Sequence, residues 1–243
     1  MTIKSSIDNV ELAKFNKTHD EWWDKEGEFR ILHQINPIRI NYLVDKAVKH
    51  FNIKNNSLPL SGLSVVDVGC GGGIAASALY ELGAAVTAID ANGHNIKAAR
   101  HYANQNNLDI NFINQTVEEH VTKHQELYDI VVCFEVIEHV ANPAEFIANL
   151  TSLIKPGGMM IISTINRSVK SYLLAIIMAE RILGWIPKDT HDYNKLVKPS
   201  ELKRFLNATG KQIKELKGLR LDIPCGGWLL CDDIDVNYFA YVA

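Results

Sequence analysis

Hydrophobic and polar positions alternate between two patterns from residue 63 to residue 165. Short runs rich in valine and isoleucine, typical of buried strands, are separated by segments with helical periodicity. The pattern predicts strands at 65–68, 85–89, 110–113, 128–134 and 158–164, with helices at 74–82, 93–107, 117–123 and 143–153. Strands that alternate with helices form parallel sheets with right-handed crossovers, so the expected fold class is α/β, a Rossmann-like doubly wound sheet.

The segments on either side of this core have different patterns. Residues 8–50 predict amphipathic helices that precede the sheet, with Pro37 as a first helical residue. The stretch Ser171–Ile186 is long and apolar, and it has basic residues at both ends. Residues 213–242 predict two further strands around a turn at Pro224–Gly227.

Composition excludes few classes of protein. A chain of 243 residues that is 47% hydrophobic can bury one full core, and a formal net charge of -3 gives no general attraction to nucleic acid. The cysteines lack the spacing of a zinc site, so we expect reduced, mostly buried thiols at Cys70, Cys133, Cys225 and Cys231. The N-terminal residues have neither an apolar signal-peptide core nor the Arg-rich pattern of a mitochondrial presequence.

A candidate ligand site begins at the turn after the first strand. Residues 69–73 read Gly-Cys-Gly-Gly-Gly, so bare backbone N–H groups at a helix N-terminus can face a ligand. Asp90 ends the second strand, where a carboxylate can accept hydrogen bonds from both hydroxyls of a ribose. The dinucleotide fingerprint needs glycine at the position that Ile74 occupies. A glycine turn that only packs a helix on a strand would leave Asp90 unexplained.

This turn resembles motif I of the class I S-adenosylmethionine-dependent methyltransferases. The shared features are the Gly-x-Gly-x-Gly form and Asp67 immediately before it. Lys155-Pro156-Gly157-Gly158 also matches the turn before the fifth strand of that class. The resemblance implies a mostly parallel, seven-stranded sheet and S-adenosyl-L-methionine as the cofactor.

A second group of polar residues follows the fourth strand. Glu135, Glu138 and His139 would lie on one helical face if the turn after Phe134 is helical. Two carboxylates and an imidazole could hold a divalent cation, or His139 could act as a general base beside a carboxylate. The simpler alternative is a solvated helix start, where acidic residues are favoured.

Motifs over nearly the whole chain resemble those of the ubiquinone biosynthesis O-methyltransferases. They are Trp22-Trp23-Asp24, Glu26-Gly27-Glu28-Phe29, Ile35-Asn36-Pro37-Ile38-Arg39, 67–73, 116–120, 135–139, 163–167, 187–192 and 235–238. The resemblance implies an S-adenosylmethionine-dependent O-methyltransferase that methylates phenolic hydroxyls of polyprenylated catechol or hydroquinone intermediates. It also makes a ubiquinone-biosynthesis complex a candidate partner. No nucleic-acid partner is expected.

The same resemblance assigns roles to individual residues. Arg39 would bind the methionine carboxylate of the cofactor, Gly69 and Gly71 would approach it, Asp90 would hold the ribose and Phe134 would lie beside it. In the eukaryotic branch, the residues that match Glu135, Glu138 and His139 bind magnesium, which makes Mg²⁺ a candidate second cofactor. His139 and Glu138 are the candidate catalytic residues.

The apolar stretch Ser171–Ile186 is too short and too charged to span a bilayer. It could lie in an anionic membrane surface with Trp185 at the headgroups, or it could be a core or dimer helix. We expect one domain, with a helical cap (1–60), a cofactor-binding core (61–165), a lid or membrane-contact insertion (166–198) and a C-terminal helix and strands (199–243). The expected location is cytoplasmic and peripheral on the inner membrane, on the matrix side in a eukaryote.

Other functions stay open from the sequence. A nicotinamide-dependent oxidoreductase is opposed by Ile74 at the third glycine position. A non-catalytic lipid-binding module built on the apolar stretch would leave Asp90 and the Glu-x-x-Glu-His group without a role. A methyltransferase that acts on another phenolic substrate is the alternative within the same class.

Overall fold

One sheet of eight strands organises the structure, a computed structural model that describes residues 22–54, 57–125, 127–174, 192–222 and 227–243. The strands are β1 Ser64–Val68, β2 Ala85–Asp90, β3 Asn111–Asn114, β4 Tyr128–Phe134, β5 Ile154–Ile165, β6 Ile213–Asp222, β7 Gly227–Cys231 and β8 Asn237–Val242. The helices are α1 Arg30–His50, α2 Ile74–Glu81, α3 Gly93–Gln105, α4 Val117–Val121, α5 Pro143–Ser152, α6 Val169–Ser171 and α7 Pro199–Asn207. Short 3₁₀ turns lie at Ile137–His139 and Tyr193–Lys195.

The strand order across the sheet is β3-β2-β1-β4-β5-β8-β6-β7. The first five of these strands pair in parallel, whereas β8 runs antiparallel to both β5 and β6. Helices α1, α2 and α3 bury their apolar sides on one face of the sheet, and α5 and α7 bury theirs on the other. Because both faces are covered, neighbours such as Val65 and Val66 are both fully buried. The predicted doubly wound α/β fold is confirmed.

The C-terminal part of the sheet has one strand more than expected. Residues 213–242 contribute β6, β7 and β8 rather than two strands, so the sheet has eight strands instead of seven. Among the described strands, β7 pairs with β6 alone, at the outer edge, where Leu229 and Leu230 stay 44% and 38% exposed. A five-residue edge strand beside a Gly-Gly pair has no alternation of buried and exposed positions, so the sequence pattern merged it with the turn.

Side-chain contacts fix the start of the insertion after β5 to the loop before β8. Asn166 Nδ2 donates a hydrogen bond to the Ile234 carbonyl at 2.9 Å, and Lys170 forms an ion pair with Asp233. The predicted helix Ser171–Ile186 lies mostly outside the described residues, as do Trp185 and Cys225. Within the part of the chain that the structure describes, no helix is both long and apolar enough to cross a bilayer.

Pro37 is the eighth residue of α1, so the prediction that it begins a helix is wrong. A proline has no N–H to donate to the carbonyl four residues earlier, here that of His33, and this weakens an isolated helix. Tertiary packing outweighs that cost, because Ile40, Leu43 and Ala47 of the same helix are buried in the core. Pro37 itself is exposed, so its ring adds little to the packing.

We predict that Pro37→Ala raises the free energy of unfolding by about 2 kcal/mol. Alanine restores the missing helix hydrogen bond, which proline in a helix interior lacks at a cost of about 3 kcal/mol. Alanine also makes the unfolded chain more flexible, which lowers this gain by about 1 kcal/mol. Urea unfolding measures the change, with Asn41→Ala, another exposed position of α1, as the control expected to move by a few tenths. A variant less stable than the parent would contradict this account.

Candidate active site

The glycine turn after β1 is shaped by the side chains that touch it. Gly69 has a φ of 76°, and a Cβ at this position would overlap the Val136 side chain. Gly71 has a φ of 53°, and its Cβ would come within 2.5 Å of the Trp22 ring. Both positions therefore need glycine for backbone conformation and for space. The N–H of Gly69 donates to the Ile89 carbonyl at 2.8 Å, which ties the turn to the end of β2.

Asp90 is buried at the end of β2 and joins the glycine turn to the start of α3. Its Oδ2 accepts from the Gly71 N–H at 2.8 Å, and its Oδ1 accepts from the Asn92 N–H at 2.7 Å. Asn95 Nδ2 donates to the same Oδ1 at 3.4 Å. Burial raises the pKa of Asp90, while these three donors oppose that shift. The carboxylate is thus held in one orientation at the edge where the parallel strands end.

Arg39 reaches the same edge from α1. Its Nη2 lies 3.0 Å from Glu135 Oε1, and its guanidinium carbon lies 5.3 Å from the ring centroid of Phe134. Burial lowers the pKa of Arg39, against the opposing influence of the nearby Glu135, Glu138 and Asp67 carboxylates. Its Nε is buried and has no hydrogen-bond partner in the structure. A buried donor left in this way is costly unless a ligand uses it.

Asp67 supplies a second buried polar atom without a partner, Oδ2. Burial, followed by the charge of Asp90, raises the pKa of Asp67 to about 7, although Arg39 opposes the shift. An amino-acid group carries both a carboxylate and an ammonium, and it could therefore satisfy Arg39 Nε and Asp67 Oδ2 together. Sequence reasoning treated Asp67 only as part of a motif. The signal for a site residue was an acidic side chain inside a buried strand, directly before the glycine turn.

The turn after β4 is not the helix that the Glu-x-x-Glu-His spacing assumed. Glu135 has a φ of 55°, in the left-handed region, and the 3₁₀ turn covers only Ile137–His139. The three predicted side chains therefore do not share one helical face. Glu135 is instead fixed from β5, because Ser163 Oγ donates to its Oε1 at 2.6 Å. Thr164 Oγ1 donates to Glu138 Oε2 at 2.8 Å.

The prediction of Mg²⁺ at Glu135, Glu138 and His139 is not supported. No three His, Cys, Asp or Glu side chains among the described residues are arranged to hold a metal ion. The Glu135 carboxylate is engaged by Arg39 and by Ser163. Burial, together with the charge of Glu135, raises the pKa of Glu138 well above its ordinary value.

Comparison with known proteins decides the family. A family model described as a methyltransferase domain matches residues 39–216. The curated ubiquinone biosynthesis O-methyltransferase of Rickettsia akari is 54% identical over 97% of this chain and 91% of that protein. The protein of the same name from Rickettsia canadensis is 52% identical over 98% of both. The chain belongs to the ubiquinone biosynthesis O-methyltransferase family. It is an S-adenosylmethionine-dependent O-methyltransferase.

Solved structures agree on the fold. Magnesium protoporphyrin IX methyltransferase from Synechocystis PCC 6803 with bound SAH has a TM-score of 0.66 at 20% identity, over 97% of this chain and 99% of that one. A SAM-dependent methyltransferase from Aquifex aeolicus has a TM-score of 0.59 at 18% identity, over 95% and 97%. At these identities the likeness concerns the fold alone.

The structure brings most of the predicted site residues of this O-methyltransferase to one edge of the sheet. Phe134 and Glu135 follow one another at the end of β4, and Arg39 contacts both side chains. Gly71 and Asp90 are joined by a hydrogen bond. His139 is half-buried in the turn after β4. Sequence reasoning missed the contributions of Asp67, Asn95, Ser163 and Thr164.

We predict that the affinity for S-adenosylmethionine rises with pH through about 7 because Asp67 must lose its proton. The pKa of the Asp67 carboxyl is raised to about 7, and only its ionised form attracts a cationic ligand. Affinity should therefore fall by up to about tenfold for each pH unit below 7. Calorimetry in a series of buffers measures both the affinity and the protons released.

Asp67→Asn is the matched variant for this measurement, since the ligand's own titration is the same for both proteins. The variant should bind more weakly near pH 8, and its pH dependence should be flatter than that of the parent by the contribution of one group. Parallel profiles for the two proteins would exclude Asp67 as the titrating group.

Proposed function

We propose that this enzyme methylates a phenolic hydroxyl of a polyprenylated catechol or hydroquinone. The curated relatives named above support the substrate class through their role in ubiquinone biosynthesis. The observation that carries the proposal is the contact between Arg39 and Glu135. This contact joins the residues suited to the cofactor to the turn after β4, whose side chains can exchange a proton with the substrate.

The residues present fit the cofactor. Arg39 and Asp67 would hold the carboxylate and the ammonium of the methionine part, because each has a buried polar atom without a partner. Gly69 would let that part approach the backbone, Gly71 would orient Asp90 through its N–H, and Asp90 would hold the ribose hydroxyls. Phe134 would give the site an apolar wall. When bound, the cofactor supplies a methyl group already activated by a sulfonium centre, so the protein chiefly aligns donor and acceptor.

The acceptor oxygen needs a base, since a phenol with a pKa near 10 is a weak nucleophile at neutral pH. His139 and Glu138 are the candidates in the turn after β4. We assign the proton to His139, because its side chain is half-buried and a substrate can reach it. Glu138 is only 2% exposed, and the raised pKa of its carboxyl favours the neutral form. No covalent intermediate is required.

Glu138 then stabilises the turn that carries His139. Its neutral carboxyl is held by Thr164 of β5, while the Glu135 carboxylate beside it is held by Ser163 and Arg39. The charge of Glu135 raises the pKa of the Glu138 carboxyl, so a neutral Glu138 beside an ionised Glu135 is favoured. That state leaves the single charge of Glu135 to balance the cation of Arg39, and it fixes the backbone that carries His139.

We predict that the enzyme methylates a soluble, short-tailed catechol and that His139→Ala lowers kcat about 100-fold or more. Mass spectrometry identifies a product that has gained one methyl group from S-adenosylmethionine. The loss should shrink as pH rises toward the pKa of the phenol, because the substrate then ionises without a base. Affinity for the cofactor should stay unchanged.

His101→Ala is the matched control, because His101 is exposed on α3 and bonds only to Gln105 among the contacts seen. It should retain the full rate. Full activity in His139→Ala combined with an inactive Glu138→Gln would move the base to Glu138. Full activity in both variants would remove this turn from the mechanism.

We also propose that the insertion after β5 rests on an anionic membrane surface, where the isoprenoid tail of the substrate resides. Support comes from the residues at the start of the insertion, where Tyr172, Leu173 and Leu174 are 41%, 49% and 46% exposed. Three consecutive apolar side chains in water are unfavourable, and an interface between lipid and water would cover them.

We predict that Leu173→Ser combined with Leu174→Ser reduces flotation of the protein with vesicles that contain anionic phospholipid. Two leucines buried in lipid would contribute several kcal/mol to partitioning into the membrane, so the bound fraction should fall at least tenfold. Leu58→Ser, at a leucine that is 44% exposed but lies before β1, should float like the parent. Equal flotation of the double variant and the parent would contradict a membrane role for these leucines.

A further inference from the structure

The glycine turn is covered by a tryptophan from the segment before α1. Trp22 is only 7% exposed, and its ring lies so close to Gly71 and Gly72 that a Cβ at either position would overlap it. The ring also stacks on Phe29 at a centroid distance of 3.7 Å. The Trp22 carbonyl accepts a hydrogen bond from His33 Nε2 at 2.8 Å, so the backbone of Trp22 is fixed to α1 as well.

The indole N–H of Trp22 begins a chain of hydrogen bonds that ends on Asp90. Trp22 Nε1 donates to Asn95 Oδ1 at 3.1 Å, and Asn95 Nδ2 donates to Asp90 Oδ1 at 3.4 Å. An indole nitrogen can only donate, so the Asn95 carbonyl oxygen must face it. The amide NH₂ group is then directed at the carboxylate. If the amide were reversed, its oxygen would face a carboxylate oxygen, and the two would repel.

We infer that Trp22 is a positioning residue for the cofactor, which acts through Asn95 on the carboxylate of Asp90. The inference rests on the proposed role of Asp90 in holding the ribose. Trp22 selects the amide orientation in which Asn95 donates, and this fixes one oxygen of Asp90. The second oxygen is fixed independently by Gly71. The segment before α1 thereby contributes to cofactor affinity through hydrogen bonds.

The neighbouring tryptophan has a different role. Trp23 Nε1 donates to the Gly72 carbonyl at 3.0 Å, and its ring stacks on Tyr102 of α3 at a centroid distance of 3.2 Å. Trp23 therefore fastens the segment to the glycine turn and to α3. Trp22 is the one of the pair whose N–H leads to the carboxylate.

Trp22→Phe tests the inference, since phenylalanine removes the indole donor and keeps an aromatic ring over Gly72. It also loses the part of the indole that lies over Gly71, and the double-mutant cycle below separates this loss from the loss of the donor. Calorimetry should show binding of S-adenosylmethionine and of S-adenosylhomocysteine weakened about three- to tenfold, the usual effect of one lost hydrogen bond. The matched control is Trp228→Phe, which loses an indole bond to Gln34 (3.3 Å) in the groove between α1 and β7. Its affinity should equal that of the parent.

A double-mutant cycle separates the hydrogen-bond chain from simple packing. If Trp22 acts through Asn95, the double variant Trp22→Phe with Asn95→Leu should bind no more weakly than Asn95→Leu alone. Additive losses would overturn the inference, as would a Trp22→Phe affinity equal to that of Trp228→Phe. Thermal unfolding without ligand confirms that each variant is folded before its affinity is compared.

Asp90→Ala distinguishes failure of this inference from failure of the ribose assignment. An Asp90→Ala variant that is folded and binds the cofactor like the parent would refute the role of Asp90, and the inference about Trp22 would fall with it. Weak binding by Asp90→Ala together with normal binding by Trp22→Phe would refute the positioning role of Trp22 alone.

Discussion

The site depends on one buried cation placed among several carboxylates. Arg39 is 5% exposed and pairs with Glu135, while the charges of Asp67 and Glu138 also act on it. Arg39 is buried while the Glu135 side chain is 26% exposed, and removing Glu135 would leave a buried cation without its partner, so this contact fixes α1 against the end of β4. Since α1 carries the segment with Trp22, the cover of the glycine turn depends on the same contact.

When Asp67, Glu135 and Glu138 are all ionised, the charges at this edge do not balance within the protein. One guanidinium faces Asp67, Glu135 and Glu138, and burial raises the pKa of both Asp67 and Glu138. Each raised pKa means that an ionised carboxylate lacks a compensating partner. A ligand that brings positive charge removes this deficit. The proposed site would therefore favour a cationic cofactor over a nicotinamide dinucleotide, whose pyrophosphate adds negative charge.

The sequence predicted the fold and the cofactor, S-adenosylmethionine, for a physical reason. Strand–helix alternation and a glycine turn before Asp90 are local patterns, and parallel strands carry their ends to one edge by topology. Predictions failed where tertiary contacts override local rules. Pro37 stays helical because its helix is packed, and Glu135 leaves helical geometry because β5 and Arg39 hold it. The edge strand β7 has too little alternation to be recognised.

Several contacts that the sequence did not reveal join residues that are far apart along the chain. Trp22 and Asn95 are 73 residues apart, and Arg39 and Glu135 are 96 apart. No periodicity links such positions. In the sequence, Trp22 is an ordinary aromatic residue before a helix, and Asn95 is an ordinary amide in the first turn of one. Their joint role follows from hydrogen-bond chemistry. An indole can only donate, a carboxylate can only accept, and the asparagine amide between them can satisfy both in one orientation alone.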